Sequence, residues 1–165
     1  MKVLGIDPGT ATVGYGVVER TGRPGRAARL VECGVFRTGP RDPLPARLAA
    51  IHRALAELLA RHRPDVLAVE DIFYAANVRT TVVLGHARGV ILLAGAQAGV
   101  LVAEYSPALV KKTVVGRGAA LKPQVGYMVA KLLQLEAPPT PADAADAVAV
   151  ALTHLFTRFP AGARR

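Results

Sequence analysis

The sequence contains no tryptophan, a single cysteine and only 5% aromatic residues in 165 positions. One cysteine, Cys33, can build neither a disulfide framework nor a cysteine-based zinc site, and it fits a reducing compartment. Acids are scarce as well: 12 Asp and Glu face 21 Lys and Arg, for a net charge of +9. No long apolar run is present. The greasiest stretch, Val90 to Ala103, contains Gln97 and closely follows Arg88, so it falls short of the roughly 20 apolar residues needed to cross a bilayer. The opening MKVLGIDPGT reaches an acid at position 7, too early for a secretory signal. These absences predict a soluble cytoplasmic protein with no membrane partner.

What is plentiful is apolar residues, 52% of the chain, which excludes an intrinsically disordered sequence. The length suits one domain with a real core. A basic excess around such a core points to a polyanionic partner, nucleic acid before membrane surface. The bland alternative is arginine filling surface positions in the protein of a GC-rich genome.

Along the chain, Val3 to Ile6 is a short apolar run stopped by Asp7-Pro8-Gly9 and reads as a buried strand. Thr12 to Glu19 and Leu30 to Arg37 read as two further strands, joined by a hairpin tip over Thr21 to Arg26. Leu44, Leu48, Ile51, Leu55, Leu58 and Leu59 recur at helical spacing between Pro43 and His62. A buried strand over Asp65 to Glu70, a helix over Asn77 to Ala98 and a strand over Val100 to Tyr105 follow. Helices near Ala108–Thr113 and Pro123–Leu135 and a last helix ending near Arg158 complete the pattern. This order predicts a mixed five-stranded α/β sheet with helices on both faces, in one domain over residues 1–158 with a basic flexible tail over 159–165.

With so few acids, the position of each carries weight. Asp7 ends the first strand after VLGI and Glu70 ends the fourth after VLAV. In open α/β sheets the groups that do chemistry collect beyond the carboxyl ends of the strands. The last helix adds a pair. Thr140-Pro141-Ala142-Asp143 has the composition of a helix start, with Thr at the N-cap and Pro at N1, so Asp143 alone is explained by the helix dipole. Asp146 is not. It lies one turn further into AADAVAVALTHL, a helix apolar on nearly every side, where a lone carboxylate costs several kcal/mol unless paired or metal-bound. Residues three apart share a helix face, so both carboxylates can aim at one place. Asp7, Glu70, Asp143 and Asp146, with no His or Cys among them, form an all-oxygen set suited to Mg²⁺ or Mn²⁺. Two such ions about 3.5–4 Å apart support phosphodiester cleavage. With those four of the twelve acids set aside, eight remain against 21 bases.

Three other residues compete for attention. Glu104 also ends a strand but has no partner acid. Asp71 adjoins Glu70 and points the opposite way if the strand persists. His154 lies two turns beyond Asp146 and reads as a packed or surface histidine.

Gly5-Ile-Asp-Pro-Gly-Thr10 with Gly14-Tyr-Gly16, Val69-Glu-Asp-Ile-Phe73, Leu84-Gly-His-Ala-Arg-Gly89, Lys111-Lys-Thr-Val-Val-Gly116 and Ala142-Asp-Ala-Ala-Asp-Ala147 with Thr153-His154 together resemble the RuvC family of crossover (Holliday) junction endodeoxyribonucleases. The resemblance runs from Met1 to Thr153. It implies an RNase H-like fold, a homodimer, and Mg²⁺-dependent symmetric nicking of two like-polarity strands of a four-way DNA junction, with Mn²⁺ able to substitute. The ends it implies are 5′-phosphate and 3′-hydroxyl, and the expected partners include the RuvA-RuvB branch-migration complex. Matched by motif, Asp7, Glu70, Asp143 and Asp146 are the family's catalytic acids. Some relatives carry His in place of Asp143; an aspartate holds a cation more strongly but transfers protons less well near neutral pH.

For DNA contact, Phe73-Tyr74 follows Glu70 in a loop that leads to Arg79. Aromatics beside a phosphodiester site stack on unpaired bases at about 1–3 kcal/mol per base, although spacing alone equally allows a core phenylalanine. The resemblance favours Phe73 as a junction wedge and leaves Tyr74 open. Lys111, Lys112, Arg117 and Lys122 form a second basic cluster beside two helix starts. The resemblance brings Lys111 and Lys122 to the scissile strand, and Lys112 and Arg117 follow by proximity. The hairpin arginines Arg20, Arg23, Arg26 and Arg29 are weaker candidates for steering DNA. A C₂ dimer would match the two-fold symmetry of a four-way junction, and the glycine-dotted helix 77–98 can serve as its interface, as core packing, or as both. Three rivals remain. The first motif also resembles the phosphate loop of the actin/Hsp70/sugar-kinase ATPases, which needs a second domain. The others are a catalytically inactive junction-binding protein and another RNase H-like nuclease.

Overall fold

The computed structural model describes residues 1–23, 26–39, 41–72 and 78–158. Five strands form one mixed sheet in the order β3-β2-β1-β4-β5. β1 (Lys2–Asp7) lies at the centre, antiparallel to β2 (Thr12–Arg23) and parallel to β4 (Val66–Glu70). β2 pairs antiparallel with the edge strand β3 (Arg26–Arg37), and β4 pairs parallel with β5 (Leu101–Tyr105). The helices are α1 (Leu44–His62), α2 (Val78–Gln97), α3 (Pro107–Val115), α4 (Lys122–Leu133) and α5 (Ala142–Arg158).

The two-residue period of the strands divides the core into two layers. Leu4, Ile6, Val13, Val17, Leu67 and Val69 pack with Ile51 and Leu55 of α1 and with Ala87 and Ile91 of α2. Val3, Val18, Val66 and Ala68 pack on the other face with α3, α4 and the Val148–Leu152 stretch of α5. Helices therefore cover both faces, as the sequence pattern predicts, and the element order matches throughout. Two details differ. The first hairpin is longer than its composition suggests, because β2 runs on to Arg23 and β3 begins at Arg26. The last helix starts at Ala142, after a cis Thr140–Pro141 bond, so Thr140 and Pro141 are not its N-cap and N1 residues. The tail 159–165 lies outside the described residues.

α5 sits unusually close to the sheet, and small residues on both sides explain it. A Cβ on Gly5 would lie 2.2 Å from the Ala147 carbonyl oxygen, and one on Gly14 would lie 2.0 Å from that of Asp143. Any side chain at these two positions would lift the helix off the strands. With glycine there, the first turn of α5 rests directly over the ends of β1 and β2.

Candidate active site

The pleat that sends Val3 and Gly5 toward α5 sends Asp7 the same way, and in β4 it does so for Glu70 after Val66 and Ala68. The close approach of α5 then brings its first two turns over both strand ends. Carboxylate oxygens of Asp7, Asp143 and Asp146 all lie within 4.8 Å of one another. Glu70 joins through a hydrogen bond with Asp7. Asp146 is largely buried, its side chain 16% exposed, whereas Asp143 is at 39%. All four acids singled out from the sequence thus converge, three as a compact set and the fourth through Asp7.

Crowding carboxylates in a partly buried place raises their proton affinity. Burial, followed by the charge of Asp146, pushes Asp7 up to about 6. Burial, followed by the charges of Asp7 and Asp146, pushes Glu70 up to about 8. Of the two, Glu70 is raised further, so it is the donor in its hydrogen bond with Asp7. Lys122, the first residue of α4, places its ammonium Nζ 2.8 Å from Asp146 Oδ2 and 3.6 Å from Asp143 Oδ1. That hydrogen bond to Asp146 is the largest of the effects raising the lysine's own proton affinity. One exposed cation offsets part of the charge of four acids. Hard oxygen ligands at this spacing suit a small divalent cation, so the residues present fit a Mg²⁺-type centre.

Asp7, Glu70, Asp146, Lys111 and Lys122 line one cleft of about 210 Å³, with Pro107, Val110 and Val125 as its apolar wall. A larger hollow of about 530 Å³ lies between the C-terminal halves of α1 and α2, lined among others by His52, Leu59, Arg63 and Gln97. It contains no carboxylate, so the chemistry belongs to the smaller cleft.

The remaining candidates are dispersed. Lys111 and Lys122 stand in the cleft wall, whereas Lys112 on α3 and Arg117 in the loop after it are exposed outside that wall. Arg79 is exposed in the first turn of α2. Phe73 and Tyr74 lie outside the described residues. The hairpin arginines are remote. Gly14 is the residue opposite Asp7, and β2 runs from there to Arg23, a distance of roughly 30 Å at strand rise. Their backbone positions lie away from the cleft.

The three competing residues resolve clearly. Glu104 and Asp71 both pair with Arg88 of α2, Asp71 at 3.2 Å, on the face of the sheet opposite α5. His154 is buried, with its Nδ1 2.7 Å from the Tyr105 hydroxyl. Two braces were not apparent from the sequence. Besides Arg88, Arg47 of α1 donates from Nε to the Thr10 carbonyl at 3.1 Å, and the Thr38 hydroxyl donates to the same oxygen at 2.6 Å. They fix the loop that leaves Asp7.

Residues 3–154 match the family described as crossover junction endodeoxyribonuclease RuvC. The chain belongs to the RuvC family. The crossover junction endodeoxyribonuclease RuvC of Azorhizobium caulinodans is 50% identical over 165 residues, which is all of this chain and 95% of the relative. The solved structure of Thermus thermophilus RuvC superposes with a TM-score of 0.87 at 40% identity, covering 96% of each chain. The same protein solved in complex with a Holliday junction substrate gives a TM-score of 0.86 at 37% identity, covering 97% of each. Family membership makes the chain an endonuclease, and the mixed sheet with helices on both faces is that family's RNase H-like fold.

Proposed function

We propose that this chain resolves Holliday junctions in recombination and repair, nicking two like-polarity strands symmetrically in a Mg²⁺-dependent reaction that leaves 5′-phosphate and 3′-hydroxyl ends. The observation that carries this reading is the convergence of Asp7, Asp143, Asp146 and Glu70 in a cleft walled by Lys111 and Lys122, within a RuvC-family chain. Asp7, Asp143 and Asp146 would hold the divalent ions, with Mn²⁺ as a substitute, and Glu70 would join them once its proton is lost. Bound there, two such ions supply an activated water and charge stabilisation for the leaving oxygen. The chain's own part is to hold its carboxylates on rigid strand ends and a docked helix, so that little reorganisation accompanies the reaction. Lys111 in the cleft wall meets the scissile-strand phosphate, and Lys122 exchanges its carboxylate partners for phosphate when DNA enters. Lys112, Arg117 and Arg79 extend that contact outward, and Phe73, which follows the catalytic strand in sequence, stacks on an unpaired base at the crossover, with Tyr74 as a further DNA contact.

The active form is a homodimer. α2 turns Ala87, Ile91 and Ala94 into the core and leaves Val78, Val82 and Leu93 largely exposed. Gly95 packs inward on Leu67 and Val102, whereas nothing lies within 4 Å of where a Gly89 Cβ would stand. An apolar outward face with a glycine gap suits a two-fold contact, and a C₂ pair would present two equal clefts to two equivalent strands. Residues 1–158 act as a single nuclease domain with a basic tail after it. The protein works in the cytoplasm alongside the RuvA-RuvB branch-migration complex. No helix among the described residues is long and apolar enough to cross a membrane.

The test is a Mg²⁺ cleavage assay on a four-way junction, a linear duplex and an RNA–DNA hybrid. Paired nicks confined to the junction support the reading. Cleavage of the hybrid alone identifies a different RNase H-like nuclease, and junction binding without any cleavage identifies an inactive binder.

A further inference from the structure

We propose that Arg88 is a positioning residue for Glu70, acting from the opposite face of the sheet through Asp71; the inference rests on the nuclease reading of the cleft. Arg88 projects from α2 with a side chain only 22% exposed, and its Nη2 reaches both Asp71 Oδ1, at 3.2 Å, and Glu104 Oε2. Its Nε is buried without a hydrogen-bond partner among the described residues. The guanidinium is therefore held where its Nη2 contacts place it, although this leaves one donor unsatisfied.

Asp71 is tied down three times. Its amide donates to the Tyr105 carbonyl at 2.8 Å, its carboxylate accepts from the Ile72 amide at 2.9 Å, and the same oxygen meets Arg88. Successive residues of a strand point to opposite faces, so holding Asp71 on the α2 side holds Glu70 on the α5 side. A turn of the chain at the β4 exit would carry Glu70 out of the cleft. Asp71 and Glu104 are nearly half exposed, and pairs so open to water contribute little to global stability. The effect of the brace is thus local, on the exit of the strand that carries Glu70. Because Arg88 sits on the helix with the exposed apolar face, subunit docking and the placement of Glu70 share one rigid element.

The test uses the full chain with Arg88→Met, Arg88→Lys and Asp71→Asn. In metal-free protein, amide hydrogen exchange at Asp71 and Ile72 should quicken by about tenfold or more in R88M, while amides of α5 keep their protection. With junction and saturating Mg²⁺, kcat should fall roughly 10–100-fold at unchanged KM, since misplacement by about 1 Å costs on that order. R88K should recover most of the loss, because one charged group makes both contacts. D71N should reproduce the loss and add nothing when combined with R88M, and it carries the test if R88M does not fold. Wild-type exchange and wild-type kcat in R88M and D71N would overturn the proposal. So would equal loosening of α5 and of the β4 exit, which marks a general structural role. If the wild-type chain nicks no junction, the nuclease reading fails instead, and the exchange measurement still decides whether the brace exists.

Discussion

Two groups of charged side chains on the same sheet solve opposite problems. Around Glu32 on β3, one carboxylate has three partners: the Tyr15 hydroxyl at 2.9 Å, Arg61 Nη2 at 2.6 Å and His62 Nε2 at 2.9 Å. Around Asp7 on β1, four carboxylates share one lysine. The first is an acid whose neighbours satisfy it. The second is a set of acids held together in a partly buried place, and burial first, then their mutual repulsion, raises the proton affinity of Asp7 and Glu70. An arrangement that costs folding free energy persists when something outside the chain completes it. The contrast separates structural from functional acids more sharply than burial does, since Glu32 and Asp143 are similarly exposed, at 33% and 39%.

Several substitutions would break or sharpen that contrast. The largest effect is expected from Asp7→Asn, which should lower junction nicking by about 10³-fold or more, as loss of a metal-binding carboxylate does. Gel-shift affinity for the junction should stay within a few-fold; equal loss of binding would make Asp7 a structural acid like Glu32. Next comes Gly14→Ala, where the new Cβ would meet the Asp143 carbonyl oxygen. α5 must then rise, so nicking should fall about 10–100-fold, with an overpacking cost of about 1–3 kcal/mol visible in urea unfolding. A wild-type rate would show that the height of α5 does not set the site. Lys111→Ala should be milder, reducing the slope of log affinity against log salt by about one; an unchanged slope removes Lys111 from the DNA interface. The smallest change is expected from Glu32→Gln, about 0.5–1 kcal/mol of stability with nicking unaffected. Loss of nicking there would erase the distinction between the two groups.

Much of this was legible in the sequence, for identifiable reasons. Asp7 and Glu70 stand out because each interrupts a buried apolar run, and Asp146 because its helix offers no polar face to receive it. Strand alternation also assigned Asp71 to the far side correctly. The rest depended on three-dimensional approach. Gly5 and Gly14 read as flexible or turn-forming positions until α5 is seen resting on them. In the sequence Glu104 lacks a partner acid, and the cation that pairs with it, Arg88 of α2, lies sixteen positions earlier in the chain, out of reach of any local pattern.

The comparison rests on the claim that the cleft acids are held together at a cost to the fold, and pH provides the direct measurement. Asp7 and Glu70 have folded proton affinities raised above their unfolded values. Below pH about 4 both are protonated folded or unfolded, and the penalty is absent. As pH rises above about 4 the unfolded carboxyls ionise while the folded cleft keeps Asp7 protonated up to about 6 and Glu70 up to about 8, so stability falls across that window and levels off beyond it. Melting temperatures of the wild-type and Asp7→Asn proteins, recorded in chelator from pH 4 to pH 9, isolate this effect. The account predicts that the variant melts about 3–6 °C higher at pH 8.5, with the gap closing toward pH 4. A variant that melts lower than wild type at pH 8.5 would contradict it.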